Sequence, residues 1–325
     1  MTVPGKPGGR HSRVPQRRTW RSRRVIAILL ALILMAAIVT IAAVFTYDHA
    51  PQPKAAPAPK PTGAPAPPAP ATSPAPQPAP QNAPNDALSA DFAKLQSRLN
   101  AKIGVVVSPV GSGQGPMTLG SDWTEGPAWS TIKVPLVIAA LRQQGTQQVT
   151  DTMKATITES DNAAAEAIWA QLGEPVTAGQ RVQDVLKGTG DPTVVQYLRV
   201  RPPYTPFGQT IWSLTNQVRF LASASCDSKN DPIFALMSQV VPGQSWGIGT
   251  IAGTQFKGGW GPWPTGKYLV RQMGILTAPT GKVAVAIAAE PSSGQFDDGT
   301  KDLGEIAGWL NDHLAALPAG KCASG

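Results

Sequence analysis

The sequence has little material for metal or redox chemistry. His11, His49 and His313 are its only three histidines, they are scattered, and no C-x-x-C pair occurs. No ligand set has metal spacing, and no metal or other cofactor is expected. Only two cysteines are present, Cys226 and Cys322. Both fall late in the chain, where a structural bridge tying the C-terminus to the end of a helix and a pair of buried thiols are the alternatives. Acidic residues are missing from residues 1–24, which hold Lys6, Arg10, Arg13, Arg17, Arg18, Arg21, Arg23 and Arg24. Those eight charges equal the whole excess of 28 basic over 20 acidic side chains, so the remainder is neutral. The basic character belongs to a short arm, and no nucleic-acid-binding domain is indicated.

Polar residues are nearly missing from the next stretch. Val25–Phe45 contains Thr40 as its only polar member, and at 1.5 Å per residue it reaches about 30 Å, the thickness of a bilayer core. A cleaved signal peptide usually has a shorter apolar region and a small-x-small exit; the exit here, FTYDHAP, offers none. The expectation is an uncleaved single-pass anchor over 25–47 in the cell membrane. The basic arm 1–24 then stays cytoplasmic and everything after Tyr47 is exported. Residues 48–86 are expected to be a linker. Within residues 50–85 there are 14 prolines and scarcely an apolar side chain larger than alanine, so the stretch has nothing with which to form a core and favours polyproline II. Fully extended it spans roughly 110 Å at about 3.1 Å per residue, which would place a domain at the depth of a cell wall.

From residue 87 to 325 the composition is globular, without internal repeats, and long enough for a sizeable core. The patterning predicts a helix over 86–99, a strand over 103–107, a turn over 111–115 and a second short strand. Helices are predicted over 128–141, 151–158, 163–172 and 179–186. A proline-rich loop, LRVRPPYTPFGQ, covers 198–209, and a helix is predicted over 210–223. Three strand-like runs come next, 245–251 with 255–257, 268–276 and 283–288, and an amphipathic helix over 303–317 ends the pattern. The fold class is therefore α+β: an antiparallel sheet flanked by helices, with a helical subdomain inserted at about 129–212.

The chemistry-bearing residues stand in three short motifs. In AWSTIKVPLVIAAL, Ser130 and Lys133 are one helical turn apart,. A lysine carried into such apolar surroundings loses hydration, which favours its neutral, basic form. An N-cap serine followed by a snorkelling lysine would give the same spacing. Ser160-Asp161-Asn162 opens another helix, where Asp161 is a natural cap. Lys257-Gly258-Gly259 then begins a strand. Trp246 reads as core and Trp260 as a neighbour of the site.

In their order and setting, these motifs resemble those of the penicillin-recognising serine hydrolases, the class A β-lactamases and penicillin-binding proteins. The likeness covers most of residues 87–318 and is densest in STIKVPLVIAAL, in MKATITESDNAAAEAIWAQLG and around FKGGW. It implies Ser130 as nucleophile, Lys133 as its base, Ser160 as proton relay and Lys257 as the cation across the cleft. Asn162 would hold the Lys133 amine and a substrate amide. Backbone N–H groups of Ser130 and Trp260 would form the oxyanion hole. Gly258 and Gly259 would leave room for a substrate backbone.

Three departures accompany the resemblance. The hydroxyl residue that usually follows the strand lysine is replaced by Gly258. Only 30 residues separate Ser130 from Ser160, which trims the helical insertion. No E-x-x-L-N loop follows the Ser160 helix; VRPPYTPFGQ occupies its place, and Glu166, on the helix itself, is not expected to substitute. The resemblance implies a membrane-anchored, exported serine hydrolase that forms an acyl-enzyme on D-alanyl peptides of peptidoglycan, β-lactams or esters. The alternative is a degenerate domain that binds wall or protein partners. A sensor would need a signalling domain, for which the 24-residue arm is too short.

Overall fold

The computed structural model describes residues 83–111 and 114–323. The basic arm 1–24, the apolar stretch 25–47 and the proline-rich stretch up to residue 82 lie outside the described residues. No helix among the described residues is long and apolar enough to cross a membrane.

The first helix, α1 (Ala83–Gln96), leads into β1 (Ala101–Pro109), β2 (Met117–Ser121) and the short β3 (Glu125–Pro127). It starts inside the stretch 48–86 expected to be linker, because Pro84 falls in its first turn, where a missing N–H costs nothing. A 3₁₀ turn, Trp129–Ile132, runs into α2 (Lys133–Gln144), which stops at Gly145 with a left-handed φ of 67°,. Then come α3 (Asp151–Lys154), continued by a π-helical turn over Ala155–Glu159, α4 (Asn162–Gln171) and α5 (Pro175–Lys187). The strand β4 (Ile211–Ser213) pairs with β3, and α6 (Leu214–Ala224) and α7 (Asp231–Met237) follow. The chain closes with β5 (Gln255–Pro262), β6 (Tyr268–Ala278), β7 (Gly281–Pro291) and α8 (Phe296–Asp312).

The main sheet has the order β2-β1-β7-β6-β5, and every neighbouring pair is antiparallel. The α+β architecture with an antiparallel sheet is thus the observed one. Strand β7 shows why both faces are covered. Val283, Val285 and Ile287 point into one core with α1 and α8, while Ala284, Ala286 and Ala288 point into the other, shared with α2 and α6. The period of two sends the branched side chains to one side, and the alanines on the other let α6 pack close to the strand.

Several predicted elements are revised. Residues 210–213 are not helical: Ile211–Ser213 is a strand, and the Ser213 hydroxyl then caps α6 by accepting from the Asn216 N–H at 3.1 Å,. Ser245–Ile251 is no strand: it follows the 3₁₀ turn Pro242–Gln244 and contains a second, Gly247–Thr250, where Gly247 takes a φ of 54°, which a strand does not allow. The helix α7 was not predicted. The closing helix begins seven residues earlier than 303, since Asp297 and Asp298 suit a helix N-terminus,. Cys226 and Cys322 are bonded to each other, with Cα atoms 5.3 Å apart, tying the C-terminal segment to the turn after α6.

Candidate active site

The turn that carries Ser130 is set by backbone rather than by side-chain capping. Trp129 has a φ of 48°, and Ser160 one of 57°; among the described residues they are the two non-glycines with positive φ. Strained backbone of this kind persists where surrounding packing over-determines it, and clusters at functional sites. Trp129 is locked by its ring, which fills the space a side chain at Gly261 would need, 2.5 Å from that Cβ position. At Gly259 a Cβ would lie 2.9 Å from both the Ala128 carbonyl oxygen and the Ser130 nitrogen. Only glycine lets β5 pass so close to the turn that carries Ser130.

Both glycines have a packing role beside the one expected of them. The space beside Gly259 holds the Ser130 turn. The space beside Gly258 holds the Trp246 indole, which a Cβ there would meet at 3.3 Å. Both spaces are taken by the protein itself, and β5 is an edge strand of the five-stranded sheet among the described residues.

Behind the turn lies a buried polar chain that was not foreseen. Arg271, fully buried on β6, donates to the carbonyls of Gly126 (3.0 Å), Pro127 (2.9 Å) and Trp212 (2.9 Å) and to Gln217 Oε1 (2.7 Å). Gln217 donates onward to Thr131 Oγ1 at 2.9 Å, and Thr131 donates to the Ala128 carbonyl at 2.6 Å. The guanidinium therefore fixes both ends of the segment 126–131, a task for which its rigid fork of donors is suited. The one available signal was an arginine inside an otherwise apolar strand, YLVRQMGIL.

Lys133 opens α2 and is 1% exposed; Lys257, the third residue of β5, is 0% exposed. Their amines converge on Ser160. Lys133 Nζ donates to the Ser160 carbonyl at 2.6 Å and to Asn162 Oδ1 at 2.7 Å, and lies 3.4 Å from Ser160 Oγ. Lys257 Nζ donates to Ser160 Oγ and to the Gly258 carbonyl, each at 2.9 Å. The left-handed turn at Ser160 is what aims both its carbonyl and its hydroxyl at the lysines. Asp161 caps α4 by accepting from the Ala164 N–H at 2.6 Å.

Burial pulls Lys133 down to about 7, with the nearby Asp161 carboxylate opposing. Burial first, and the charge of Lys133 second, hold Lys257 well below the ordinary lysine value. A neutral Lys133 has two N–H bonds, and its two short acceptors use both. Its lone pair is then free to take a proton. Ser160 Oγ accepts from Lys257 and keeps its own proton to give. Ser130 Oγ makes no side-chain hydrogen bond among the described residues.

A cleft of about 530 Å³ opens beside these groups, lined by Ser130, Asn162, Glu166, Tyr204, Trp260 and Tyr268 among others. Its far side is the proline-rich loop, held at two places. Arg199 donates to Glu166 Oε1 (2.7 Å) and to the carbonyls of Pro203 and Tyr204, and Arg201 donates to the Pro262 carbonyl at 3.0 Å. The loop thus joins α4 to the tip of β5 and walls the cleft that the shortened insertion would otherwise leave open. Glu166, on the helix itself, faces this cleft with its carboxylate paired to Arg199. Trp260 packs with Trp246 and Phe296, their ring centroids 5.9 and 5.5 Å away. Trp246 is only partly buried there, at the margin of the α8-side core. No group of His, Cys, Asp and Glu suited to a metal occurs among the described residues.

No protein-family model matches the sequence, and no curated protein matches it. Solved structures do. The TLA-1 extended-spectrum β-lactamase is similar to this chain with a TM-score of 0.58 at 18% identity, over 71% of this chain and 99% of that one. A class A β-lactamase from Bacteroides cellulosilyticus DSM 14838 gives 0.57 at 16% identity, over 72% and 99%. A β-lactamase from Streptosporangium roseum gives 0.55 at 15% identity, over 71% and 100%. The described residues therefore have a β-lactamase-like fold.

Proposed function

We propose that this chain is a serine hydrolase that forms an acyl-enzyme on Ser130. The observation that carries the proposal is the pair of buried lysine amines meeting at Ser160, one turn from the serine. Two cations are costly to bury together unless one gives up its proton, and a neutral amine beside a serine hydroxyl is a base. Lys133 takes the Ser130 proton as Oγ attacks an acyl carbon. Ser160 passes a proton to the leaving group and is resupplied from the lysines. The N–H groups of Ser130 and Trp260 receive the developing oxyanion, and Asn162 holds the Lys133 amine while offering its amide to the substrate. The substrates in view are D-alanyl peptides of the cell wall, β-lactams and esters.

The same reading makes the protein an exported one, held in the cell membrane by residues 25–47 with the N-terminus in the cytoplasm and the domain at the wall. A second reading, a binding module on the same fold, is favoured by one specific observation: the strand lysine is followed by Gly258, whose Cβ position lies 3.3 Å from the Trp246 ring, and not by a hydroxyl residue. Intact-protein mass after exposure to a reactive acyl donor separates the two. We expect one acyl group per chain, lost in Ser130→Ala and slowed by about 10²–10⁴-fold in Lys133→Ala. Labelling that survives in Ser130→Ala would refute the assignment, and no labelling by any donor would favour the binding module.

A further inference from the structure

The cleft beside Ser130 presents one charged side chain among its described lining residues, and it is an acid, Glu166. No cation is offered to a ligand. Lys133 and Lys257 lie beneath the floor, 1% and 0% exposed, their amines already bonded to Ser160, Asn162 and the Gly258 carbonyl. Arg199, the guanidinium at the mouth, is engaged three times over, by Glu166 Oε1 at 2.7 Å and by the carbonyls of Pro203 (3.0 Å) and Tyr204 (2.9 Å). Arg201 is held by the Pro262 carbonyl and lies over the Tyr204 ring, 5.0 Å from its centroid. Next to Lys257 there is no hydroxyl, and a Cβ at position 258 would press on the Trp246 ring at 3.3 Å. What the walls do offer is the aromatic surface of Tyr204, Trp260 and Tyr268 and the amide of Asn162.

We infer that the cleft selects acyl donors bearing no negative charge near the scissile carbonyl, esters or amides with uncharged, flat or apolar flanking groups, and that Glu166 enforces this by occupying Arg199. The inference rests on acyl transfer by Ser130 and narrows its substrates to uncharged esters and amides, setting aside the D-alanyl peptides and β-lactams, which carry a carboxylate near the scissile carbonyl. A carboxylate entering the cleft gives up water, meets a carboxylate of its own sign and finds Arg199 already paired with Glu166,. An uncharged aromatic or aliphatic group loses little and gains ring contacts. Discrimination then comes from the penalty on the wrong ligand.

Two aryl esters that differ only by a methyl or a carboxylate on the acyl side test this on the purified full chain. Acylation of Ser130 is followed by intact mass. The uncharged ester is expected to react about tenfold faster or more, with a gap that shrinks as salt is raised. In Glu166→Gln the freed Arg199 is expected to narrow or reverse the ratio. A carboxylate ester that reacts as fast as its partner in the native chain overturns the inference, as does an unchanged ratio in Glu166→Gln. If neither ester labels Ser130, the acyl-transfer reading fails and charge selection is read separately, from equilibrium binding of both esters to Ser130→Ala by tryptophan fluorescence. About tenfold tighter binding of the uncharged ester upholds it; equal affinities, or no binding of the uncharged ester, overturn it.

Discussion

Replacing Lys133 by methionine keeps the side chain's length and removes its proton, which makes the linkage between base strength and stability measurable. Burial lowers this lysine from 10.5 to about 7 in the folded chain. Because the folded value lies below the unfolded one, the unfolded chain binds more protons between those two pH values, and stability rises with pH across that window. Below about pH 7 both states are protonated and the full penalty applies, on the order of 5 kcal/mol at about 1.4 kcal/mol per unit. Between pH 7 and pH 9 about 2 kcal/mol of it is relieved. Lys133→Met also strands the Ser160 carbonyl and Asn162 Oδ1, at about 1–3 kcal/mol each, but that loss does not change with pH. Lys257 is held low by burial in both proteins, but the variant lacks the further lowering by the Lys133 charge, so its own pH dependence adds a smaller term to the difference. The difference in unfolding free energy between native chain and variant, from urea melts, should therefore move by about 2 kcal/mol in favour of the native chain from pH 7 to pH 9. Parallel profiles would mean that the folded protein keeps Lys133 protonated, and the general-base role would fall with that result.

An acyl group placed on Ser130 should persist, because no acid lies between Asp191 and Asp227 and Glu166 is bound to Arg199; rapid multiple turnover that depends on Ser130 would contradict this. Reducing the Cys226–Cys322 bond, which closes a separation of 96 residues, should lower stability by about 2–4 kcal/mol, and identical melts with and without reductant would show that the bridge constrains nothing. A reporter fused after Gly325 should be active only outside the cytoplasm, and cytoplasmic activity would overturn both the anchor and the wall-facing substrates.

Much of the fold was legible because it rests on periodicity. The alternation in KVAVAIAA and the TAPTG turn before it give β6 and β7 directly, and the capping serines, threonines and aspartates give helix starts. The misread segments are those where a local pattern serves a different neighbour. Ser245–Ile251 looks extended in composition, yet its backbone is bent around Gln272, whose Oε1 accepts from the Ile248 N–H and whose Nε2 donates to the Trp246 carbonyl. The strand Ile211–Ser213 exists only because β3 lies opposite it. Tertiary pairing of three residues leaves no trace in a window of a dozen.

At the site the division is chemical. Ser130, Lys133, Ser160, Asn162 and Lys257 were legible because a lysine-activated serine needs those types near one another, and the structure brings the three lysine- and serine-bearing segments within hydrogen-bond reach. The residues that make the arrangement hold carry no such signature. Arg271 works through carbonyl groups, which every sequence has, and Gly259 works by lacking a Cβ. Burying Arg271, Lys133 and Lys257 in one layer opposes folding, so each must be matched by fixed acceptors before it is tolerated. The carbonyls of residues 126, 127, 160, 212 and 258 supply those acceptors. A sheet edge and a turn that present so many carbonyls inward can do so only with the backbone bent at Trp129 and Ser160. The strained φ values, the glycines of β5 and the depressed lysines are thus one constraint seen from three sides, and relaxing any of them should loosen the other two.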